Sequence, residues 1–294
     1  MTLITEPAEW RRVLDAGRSS GRTVGVVPTM GALHAGHLSL IRLAGAQRDL
    51  VAVTDYVNPL QFAPSEDLAA YPRDLERDCA LAEEVGAHVV FAPAPAQMWP
   101  PAGRPATTVS VGALGDRLEG AARPGHFAGV ATVVTKLLSL AGACWAYFGE
   151  KDWQQLAVVR RLVADLSLPA AVVACPTVRN DDGLALSSRN AYLGAAERAV
   201  APKLYWALLA GRRSVEDGEQ DPEAVRAAMA AVIGRETSMI LDYGEVADPE
   251  DLTTPARVGG EVRLLAAARL GRTRLIDNIS AVSPHHRAPA DGGH

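Results

Sequence analysis

Short apolar runs alternate with helical patterns along the first part of the chain, after a helix predicted around residues 9–16. The apolar runs are rich in Val and other strand-forming residues, which predicts strands at 23–28, 50–57, 88–93, 145–148 and 171–178. Apolar residues between them recur at spacings of three and four, which predicts helices at 38–46, 75–84, 127–140 and 153–166. Strands that alternate with helices indicate a parallel sheet with helices on its faces.

The order of elements changes after Arg189. Two helical segments come before three strand candidates, and the five are predicted at 195–210, 222–235, 240–246, 262–268 and 274–279. Helices followed by strands predict a smaller α+β domain. We therefore expect an α/β protein with one domain at 1–178, a second at 179–283, and a disordered polar tail at 284–294.

Composition excludes several classes of protein. The 294 residues include 29 Lys and Arg against 34 Asp and Glu, a net charge of −5, which argues against a surface that binds nucleic acid. Three cysteines, Cys79, Cys144 and Cys175, form no CxxC pair, and the N-terminus lacks the apolar stretch of a signal peptide. We therefore expect a cytoplasmic protein.

One apolar stretch, at 127–148, is nearly long enough to cross a membrane. Its Gly, Thr and Ser residues and its aromatic, strand-like end favour a buried helix followed by a buried strand. We expect no membrane segment there.

Two histidines stand where the first strand meets its helix. The segment PTMGALHAGH at 28–37 places His34 and His37 three residues apart near a helix start. A helix N-terminus at the carboxyl end of a parallel strand attracts anions, so two imidazoles there would bind phosphoryl oxygens. A capping role and a pair of metal ligands are the alternatives. The HExxH zinc signature and the GxGxxG dinucleotide fingerprint are absent.

Further polar clusters follow other strands or begin helices. VNPLQF at 57–62 offers two amides suited to a carboxylate or a hydroxyl, although Asn before Pro is also a common turn. FGEKDWQQ at 148–155 offers a glycine, a lysine and an aspartate suited to a nucleotide, although a capped surface helix looks similar. RPGHFAGV at 123–130 brings Arg and His to a helix start, and DGLALSSRN at 182–190 suits a polyphosphate. We expect all five clusters to meet at one sheet edge.

The five clusters together resemble the pantothenate synthetases, also called pantoate–beta-alanine ligases. The resemblance reaches the closing segment AARLGRTRLIDNI at 267–279 and so covers nearly the whole chain. HAGH and LSSRN also resemble the HxGH and KMSKS elements of the wider nucleotidyltransferase superfamily, which handle ATP phosphates. The resemblance implies a Rossmann-like N-terminal domain, a C-terminal domain that acts as a lid, and a homodimer.

The resemblance also implies a two-step reaction that needs ATP and Mg²⁺. The pantoate carboxylate attacks the α-phosphorus of ATP and releases pyrophosphate, and the amine of beta-alanine then attacks the pantoyl adenylate to give pantothenate and AMP. The first nucleophile is already anionic, so positioning and charge neutralisation are the main requirements. The Mg²⁺ is held largely by phosphates, with Asp78 as the one candidate protein ligand.

Motif matching assigns catalytic roles to His34, His37 and Lys151. The residues assigned to ATP are Met30, His37, Gly149, Lys151, Asp152, Val178, Leu186, Ser187, Ser188 and Arg189. The residues assigned to pantoate and beta-alanine are Met30, Asn58, Gln61, Arg123, His126 and Gln155.

The chain departs from the family pattern at two places. Ala35 stands where many members have Glu, and Asp55 and Tyr56 stand where Ile and Phe are common. Asp55 puts a carboxylate beside the expected pantoate pocket. The alternative functions are a nucleotidyltransferase that stops at an activated small molecule, such as a cytidylyltransferase, and a catalytically silent nucleotide-binding protein. The missing glycine fingerprint disfavours an NAD dehydrogenase.

Overall fold

A computed structural model describes residues 1–62, 68–69, 71–99, 104–235 and 238–285 of the chain. The chain divides into two compact units, Met1–Val178 and Arg179–His294. Most of the tail for which we predict disorder, from residue 286 onward, lies outside the described residues.

The first unit contains a six-stranded parallel sheet with the strand order β1-β4-β3-β2-β5-β6. The strands are β1 (Thr2–Ile4), β2 (Val24–Thr29), β3 (Leu50–Asp55), β4 (Val89–Phe91), β5 (Cys144–Gly149) and β6 (Ala170–Cys175). Strand β1 was not predicted, because three residues are too few to show an alternating pattern. The predicted parallel sheet is confirmed.

Eight helices of the first unit are described. They are α1 (Pro7–Ser19), α2 (Ala35–Gln47), α3 (Leu75–Glu84), α4 (Pro95–Met98), α5 (Gly112–Asp116), α6 (Glu119–Ala122), α7 (His126–Ala141) and α8 (Trp153–Asp165). The three helices of four or five residues fall where no helix was predicted, since so short a helix shows no periodicity.

The apolar stretch at 127–148 forms most of α7 and β5. The helix ends at Gly142, which has a φ of 72° and whose N–H donates to Leu138. Helix and strand are both largely buried, as predicted. Within the described parts of the chain, every helix is too short or too polar to cross a membrane.

Helix α2 is fixed to the sheet by its apolar face. Ile41 and Ala44 are fully buried against Val27 and Val51 of the neighbouring strands β2 and β3. Burial of a side chain such as Ile stabilises a fold by about 1.5–3 kcal/mol. This packing fixes the start of α2 above the carboxyl end of β2.

The second unit packs helices against an antiparallel sheet with the order β7-β8-β9. Its elements are α9 (Ala195–Val200), α10 (Lys203–Glu216), α11 (Pro222–Ile233), β7 (Met239–Ala247), β8 (Glu261–Leu270) and β9 (Thr273–Val282). The α+β character is confirmed, but the prediction of one helix at 195–210 is wrong. The helix breaks before Pro202, which cannot donate a backbone hydrogen bond.

Candidate active site

The carboxyl ends of β2 and β5 form the switch point of the parallel sheet. From β2 the chain continues to β3 and β4 on one side of the sheet, and it returns to β5 and β6 on the other side. Ligands of open α/β sheets bind in the crevice at this point. The histidine segment follows β2, and the segment with Lys151 follows β5.

A tight turn after β2 carries the histidines. Gly31 has a φ of 74°, and a Cβ built there would lie 2.4 Å from Oδ1 of Asp55, so glycine is required. The Thr29 hydroxyl accepts from the Gly31 N–H at 3.1 Å and donates to the Thr54 carbonyl at 2.6 Å. The turn is therefore fixed by both neighbouring strands.

Asp78 of α3 holds the other side of the turn. Its Oδ2 accepts from the N–H of Ala32 at 2.6 Å, and its Oδ1 accepts from the N–H of Leu33 at 2.8 Å. The side chain is 1% exposed. With both oxygens occupied by backbone donors, this geometry favours a positioning role for Asp78 over the magnesium ligand expected above. The described residues contain no group of three or more His, Cys, Asp and Glu side chains that could hold a metal ion.

Asp55, one of the departures seen in the sequence, lies beside Asp78, and the two carboxyls share a hydrogen bond when one of them is protonated. Burial, the negative charge of Asp78 and the hydrogen bond between the two carboxyls together raise the pKa of Asp55 to about 6. The backbone of Asp55 also pairs with Met30. Asp55 therefore belongs to the support of the turn.

His34 and His37 lie together at the start of α2. His34 is the N-cap, and its Nδ1 accepts from the Gly36 N–H at 3.1 Å. The ring centroids are 4.1 Å apart. Burial, followed by the charge of Lys151, lowers the pKa of His34, and burial, followed by the charge of His34, lowers the pKa of His37 to about 3. Both imidazoles are therefore neutral at pH 7.

Nδ1 of His37 is buried and has no hydrogen-bond partner among the described residues. Buried polar atoms in proteins are nearly always paired. The bare nitrogen next to a helix N-terminus therefore suits a polar ligand. The capping alternative is confirmed for His34, and the phosphate-binding role of the two histidines stays a prediction.

Lys151 and Asp152 lie in a short 3₁₀ helix between β5 and α8. Nζ of Lys151 lies 3.3 Å from Oδ1 of Asp152, and the charges of both act on His34. A Cβ built on Gly149 would meet no described atom within 4 Å, so the backbone faces open space. Gln155 is half-buried in the first turn of α8. The structure thus brings Lys151 and Asp152 together with the histidines.

Asn58 fixes the side chain of Gln61. Its Oδ1 accepts from the Leu60 N–H at 3.3 Å, while its Nδ2 donates to the Gly129 carbonyl at 3.1 Å and to Oε1 of Gln61 at 3.0 Å. A Cβ on Gly129 would lie 2.2 Å from the Leu60 carbonyl oxygen, so glycine lets α7 approach this closely. Because Oε1 of Gln61 accepts from Asn58, the amide N–H groups of Gln61 point away from Asn58.

His126 and Arg123 hold the backbone of the same residue. Nδ1 of His126 lies 2.8 Å from the Gln61 carbonyl oxygen, and Nε2 lies 3.0 Å from the Arg123 guanidinium. A guanidinium only donates, so Nε2 accepts and Nδ1 donates to Gln61. Arg123 also donates to this carbonyl at 3.4 Å. These contacts make both residues supports of Gln61.

Gln154 supports the helices around the candidate site and was not predicted from the sequence. Its side chain accepts from the N–H of Glu119 at 3.0 Å and donates to the carbonyls of Leu114 and Arg117 at 2.9 and 2.8 Å. It joins α8 to the two short helices that precede α7. The sequence WQQ does not indicate which of Gln154 and Gln155 faces the protein interior.

The remaining candidates are half-buried or exposed. Met30 and Val178 belong to the first unit, and Leu186, Ser187, Ser188 and Arg189 belong to the second. The Ser187 hydroxyl caps a 3₁₀ helix by accepting from the Arg189 N–H at 3.3 Å.

A family model of pantoate–beta-alanine ligases matches residues 2–280 of the chain. The chain belongs to the pantoate–beta-alanine ligase family. This confirms the resemblance seen in the motifs, and it makes the chain a ligase.

Relatives from different bacteria agree with this assignment. The pantothenate synthetase of Roseiflexus castenholzii is 53% identical over 255 residues, which cover 87% of this chain and 91% of that protein. The pantothenate synthetase of Mycolicibacterium smegmatis is 47% identical, with 100% of this chain and 94% of that protein covered.

Solved structures confirm the Rossmann-like fold with a second unit. The crystal structure of pantothenate synthetase from Thermus thermophilus has a TM-score of 0.88 and 45% identity, and the match covers 95% of this chain and 99% of that one. The pantoate–beta-alanine ligase from Francisella tularensis, complexed with beta-gamma ATP and beta-alanine, has a TM-score of 0.77 and 31% identity over 95% of this chain and 97% of that one.

Proposed function

We propose that this ligase joins pantoate to beta-alanine through a pantoyl adenylate, with cleavage of ATP to AMP and pyrophosphate. In the first step a pantoate carboxylate oxygen bonds to the α-phosphorus of ATP while the bond to pyrophosphate breaks. In the second step the amine nitrogen of beta-alanine bonds to the pantoyl carbonyl carbon, and AMP leaves with the oxygen that pantoate supplied. The amine loses a proton as the amide forms.

The observation that carries the proposal is the cluster of His34, His37 and Lys151 at the switch point of the sheet. Phosphoryl transfer needs positioned donors and positive charge where negative charge develops. Neutral imidazoles donate hydrogen bonds to phosphoryl oxygens, Lys151 supplies charge, and the N-terminus of α2 adds its dipole. These are the roles that we assign to the three residues.

We assign the pantoate carboxylate to the amide N–H groups of Gln61. These groups point away from Asn58, because Oε1 of Gln61 accepts a hydrogen bond from Asn58. Gln155 and the apolar side chain of Met30 are proposed to complete the pantoate pocket. Arg123 and His126 act through the Gln61 backbone in this proposal.

The remaining ATP contacts follow the motif assignments. Gly149 would let the nucleotide approach the backbone, and Asp152 would accept the ribose hydroxyls. Val178 and Leu186 are assigned to ATP, and Ser187, Ser188 and Arg189 to its polyphosphate.

Mg²⁺, the homodimer and the cytoplasmic location are also proposed. A magnesium ion held mainly by ATP phosphates suits a site without a cluster of acidic side chains among the described residues. When bound, it would neutralise phosphate charge. The three cysteines are free, which suits a reducing compartment.

The test follows both products in one reaction. Purified protein with ATP, Mg²⁺ and pantoate should release pyrophosphate, and AMP and pantothenate should appear once beta-alanine is added. A nucleotidyltransferase that stops at an activated acid would release no AMP in response to the amine. ATP binding without either product would support the catalytically silent protein and would overturn the proposal.

A further inference from the structure

Arg179 occupies a nearly enclosed position in the second unit. Its Nη1 and Nη2 donate to the two carboxylate oxygens of Asp277 on β9 at 2.5 and 2.8 Å. Further bonds run to the carbonyls of Gly183 at 3.1 Å and Asn278 at 3.3 Å, and the guanidinium carbon lies 4.1 Å from the ring centroid of Tyr205. The side chain of Arg179 is 17% exposed and that of Asp277 is 4% exposed. One guanidinium thus joins a loop, a strand and a helix.

The loop is a tight turn that folds back on Arg179. The backbone of Arg179 pairs with Ala185, and the N–H of Asn180 donates to Leu184 at 2.9 Å. Gly183 has a φ of 95°, and a Cβ built there would lie 2.4 Å from the ring of Tyr205. Arg179 therefore holds the turn closed through its backbone and its side chain, and the ring of Tyr205 packs closely against Gly183.

The far end of this turn leads directly into the serine loop, residues Ser187, Ser188 and Arg189. Nδ2 of Asn190 donates to the Ala185 carbonyl at 3.0 Å, and the Asn190 N–H donates to the Ser187 carbonyl at 3.0 Å. The serine loop is thus joined to the turn by the chain at its first end and by the Asn190 side chain at its second end. We therefore expect a shift of the turn to move the two serine hydroxyls with it.

Asp277 is itself held in place. Its Oδ1 accepts from the Asn278 N–H at 2.7 Å, and Oδ1 of Asn278 accepts from Nε of the buried Arg263 at 2.7 Å. Asp277 therefore has a fixed position on the sheet, and the hydrogen bonds of Arg179 hold the turn in place relative to Asp277.

We propose that Arg179 and Asp277 are positioning residues that set the geometry of the serine loop for the polyphosphate of ATP. The inference rests on the proposed function, in which Ser187 and Ser188 bind that polyphosphate. Neither Arg179 nor Asp277 carries a role in the motif assignments. A buried ion pair adds little net stability compared with apolar packing, but its forked geometry restricts the groups that it joins. Displacement of binding groups by about 1 Å can cost a hundredfold in rate.

The test compares Arg179→Lys with a matched change in the same unit. Lysine keeps the charge but loses the fork that reaches Asp277 and two carbonyls at once. Arg226→Lys is the control, because Arg226 pairs with Glu245 at 2.6 Å with a similar exposure of 21%. We measure the dissociation constant of ATP by calorimetry, KM and kcat for each substrate, and the thermal unfolding midpoint, all on the full chain.

Arg179→Lys should weaken ATP binding and raise the KM for ATP at least tenfold, with the KM for pantoate within twofold of the parent. Arg226→Lys should leave all of these within twofold. An ATP affinity and kcat within twofold of the parent in folded Arg179→Lys would overturn the proposal. Equal losses for ATP and pantoate would also overturn it, because they would indicate general damage.

Two further measurements keep the outcome decisive. If Arg179→Lys fails to fold, Gly183→Ala is tested instead, because it strains the same turn while the ion pair remains. This variant should show the same loss specific to ATP. Equal losses for both substrates would again overturn the inference. Pantothenate formation by the parent enzyme tests the proposed function separately. An inactive parent would refute that function, whereas an active parent with an unchanged variant refutes only the positioning role.

Discussion

Nδ2 of Asn58 donates to Oε1 of Gln61 at 3.0 Å, and the direction of this bond is fixed by two other contacts. The Asn58 oxygen already accepts from Leu60, and its Nδ2 also donates to the Gly129 carbonyl. Gln61 is therefore held with its amide donors available for a carboxylate. Two N–H groups in a fixed orientation suit the carboxylate of pantoate, which is the role proposed for Gln61.

Asn58→Asp tests this orientation. The carboxylate keeps the shape of Asn58 but cannot donate to Gln61 or Gly129, so the Gln61 amide should turn and present its oxygen to pantoate. We expect the KM for pantoate to rise at least tenfold, with the KM for ATP within about threefold. Gln61→Ala should give the same selectivity for pantoate. Initial rates with each substrate varied separately decide the matter, and an ATP defect with unchanged pantoate dependence would refute the assignment.

Lys151→Ala should reduce adenylate formation by about a hundredfold to a thousandfold, because a positioned charge at a phosphoryl group stabilises the transition state by about 3–4 kcal/mol. The fold should persist, since Lys151 lies in a short 3₁₀ helix after β5 and outside the apolar core. Pyrophosphate release in the absence of beta-alanine is the measurement. Lys151→Arg serves as the control that retains charge and should keep part of the rate. Near-normal rates in the alanine variant would remove Lys151 from the mechanism.

Asp55 gives the stability of the protein a specific pH dependence. Its pKa is about 6 in the folded chain against an ordinary value of 3.8, mainly because the group is buried. A raised pKa stabilises the fold at low pH, and this contribution is lost as the pH rises from about 3.8 to about 6. Asp55→Asn removes this titration, and the amide N–H of Asn can donate to Asp78 at every pH. The unfolding midpoint of the variant should therefore rise relative to the parent between about pH 4.5 and 7.

The control for this prediction is Asp49→Asn. Hydrogen bonds from Thr23 lower the pKa of Asp49, so its contribution changes only below pH 3.8 and the comparison should be flat at higher pH. Thermal unfolding of the three proteins across that range is the experiment. A constant difference between Asp55→Asn and the parent would show that Asp55 is ionised throughout.

The sequence predicted the main elements because their patterns are local. Helix α3 has the predicted bounds of 75–84, and the five strands predicted for the first unit lie within a few residues of their observed places. Strand β1 and the helices of four or five residues were not predicted, because a periodic pattern needs more residues to become visible. Pro202 could have been recognised as the break between α9 and α10 from its missing N–H alone.

The site was predictable where one motif carries its own geometry, as with His34 and His37 at a helix start. It was not predictable where support comes from far along the chain. Asp78 holds a turn 46 residues away in sequence, and Arg179 pairs with a carboxylate 98 residues away. A single sequence contains no record of such contacts, so they were found only in the structure.

The transfer of oxygen from pantoate to AMP tests the adenylate most directly. Pantoate labelled with ¹⁸O in its carboxylate is converted with ATP, Mg²⁺ and beta-alanine, and the AMP and pyrophosphate are analysed by mass spectrometry. An adenylate leaves one ¹⁸O atom in AMP for each pantothenate formed and none in pyrophosphate. AMP without the label, or formation of ADP with label in inorganic phosphate, would contradict attack of the carboxylate on the α-phosphorus.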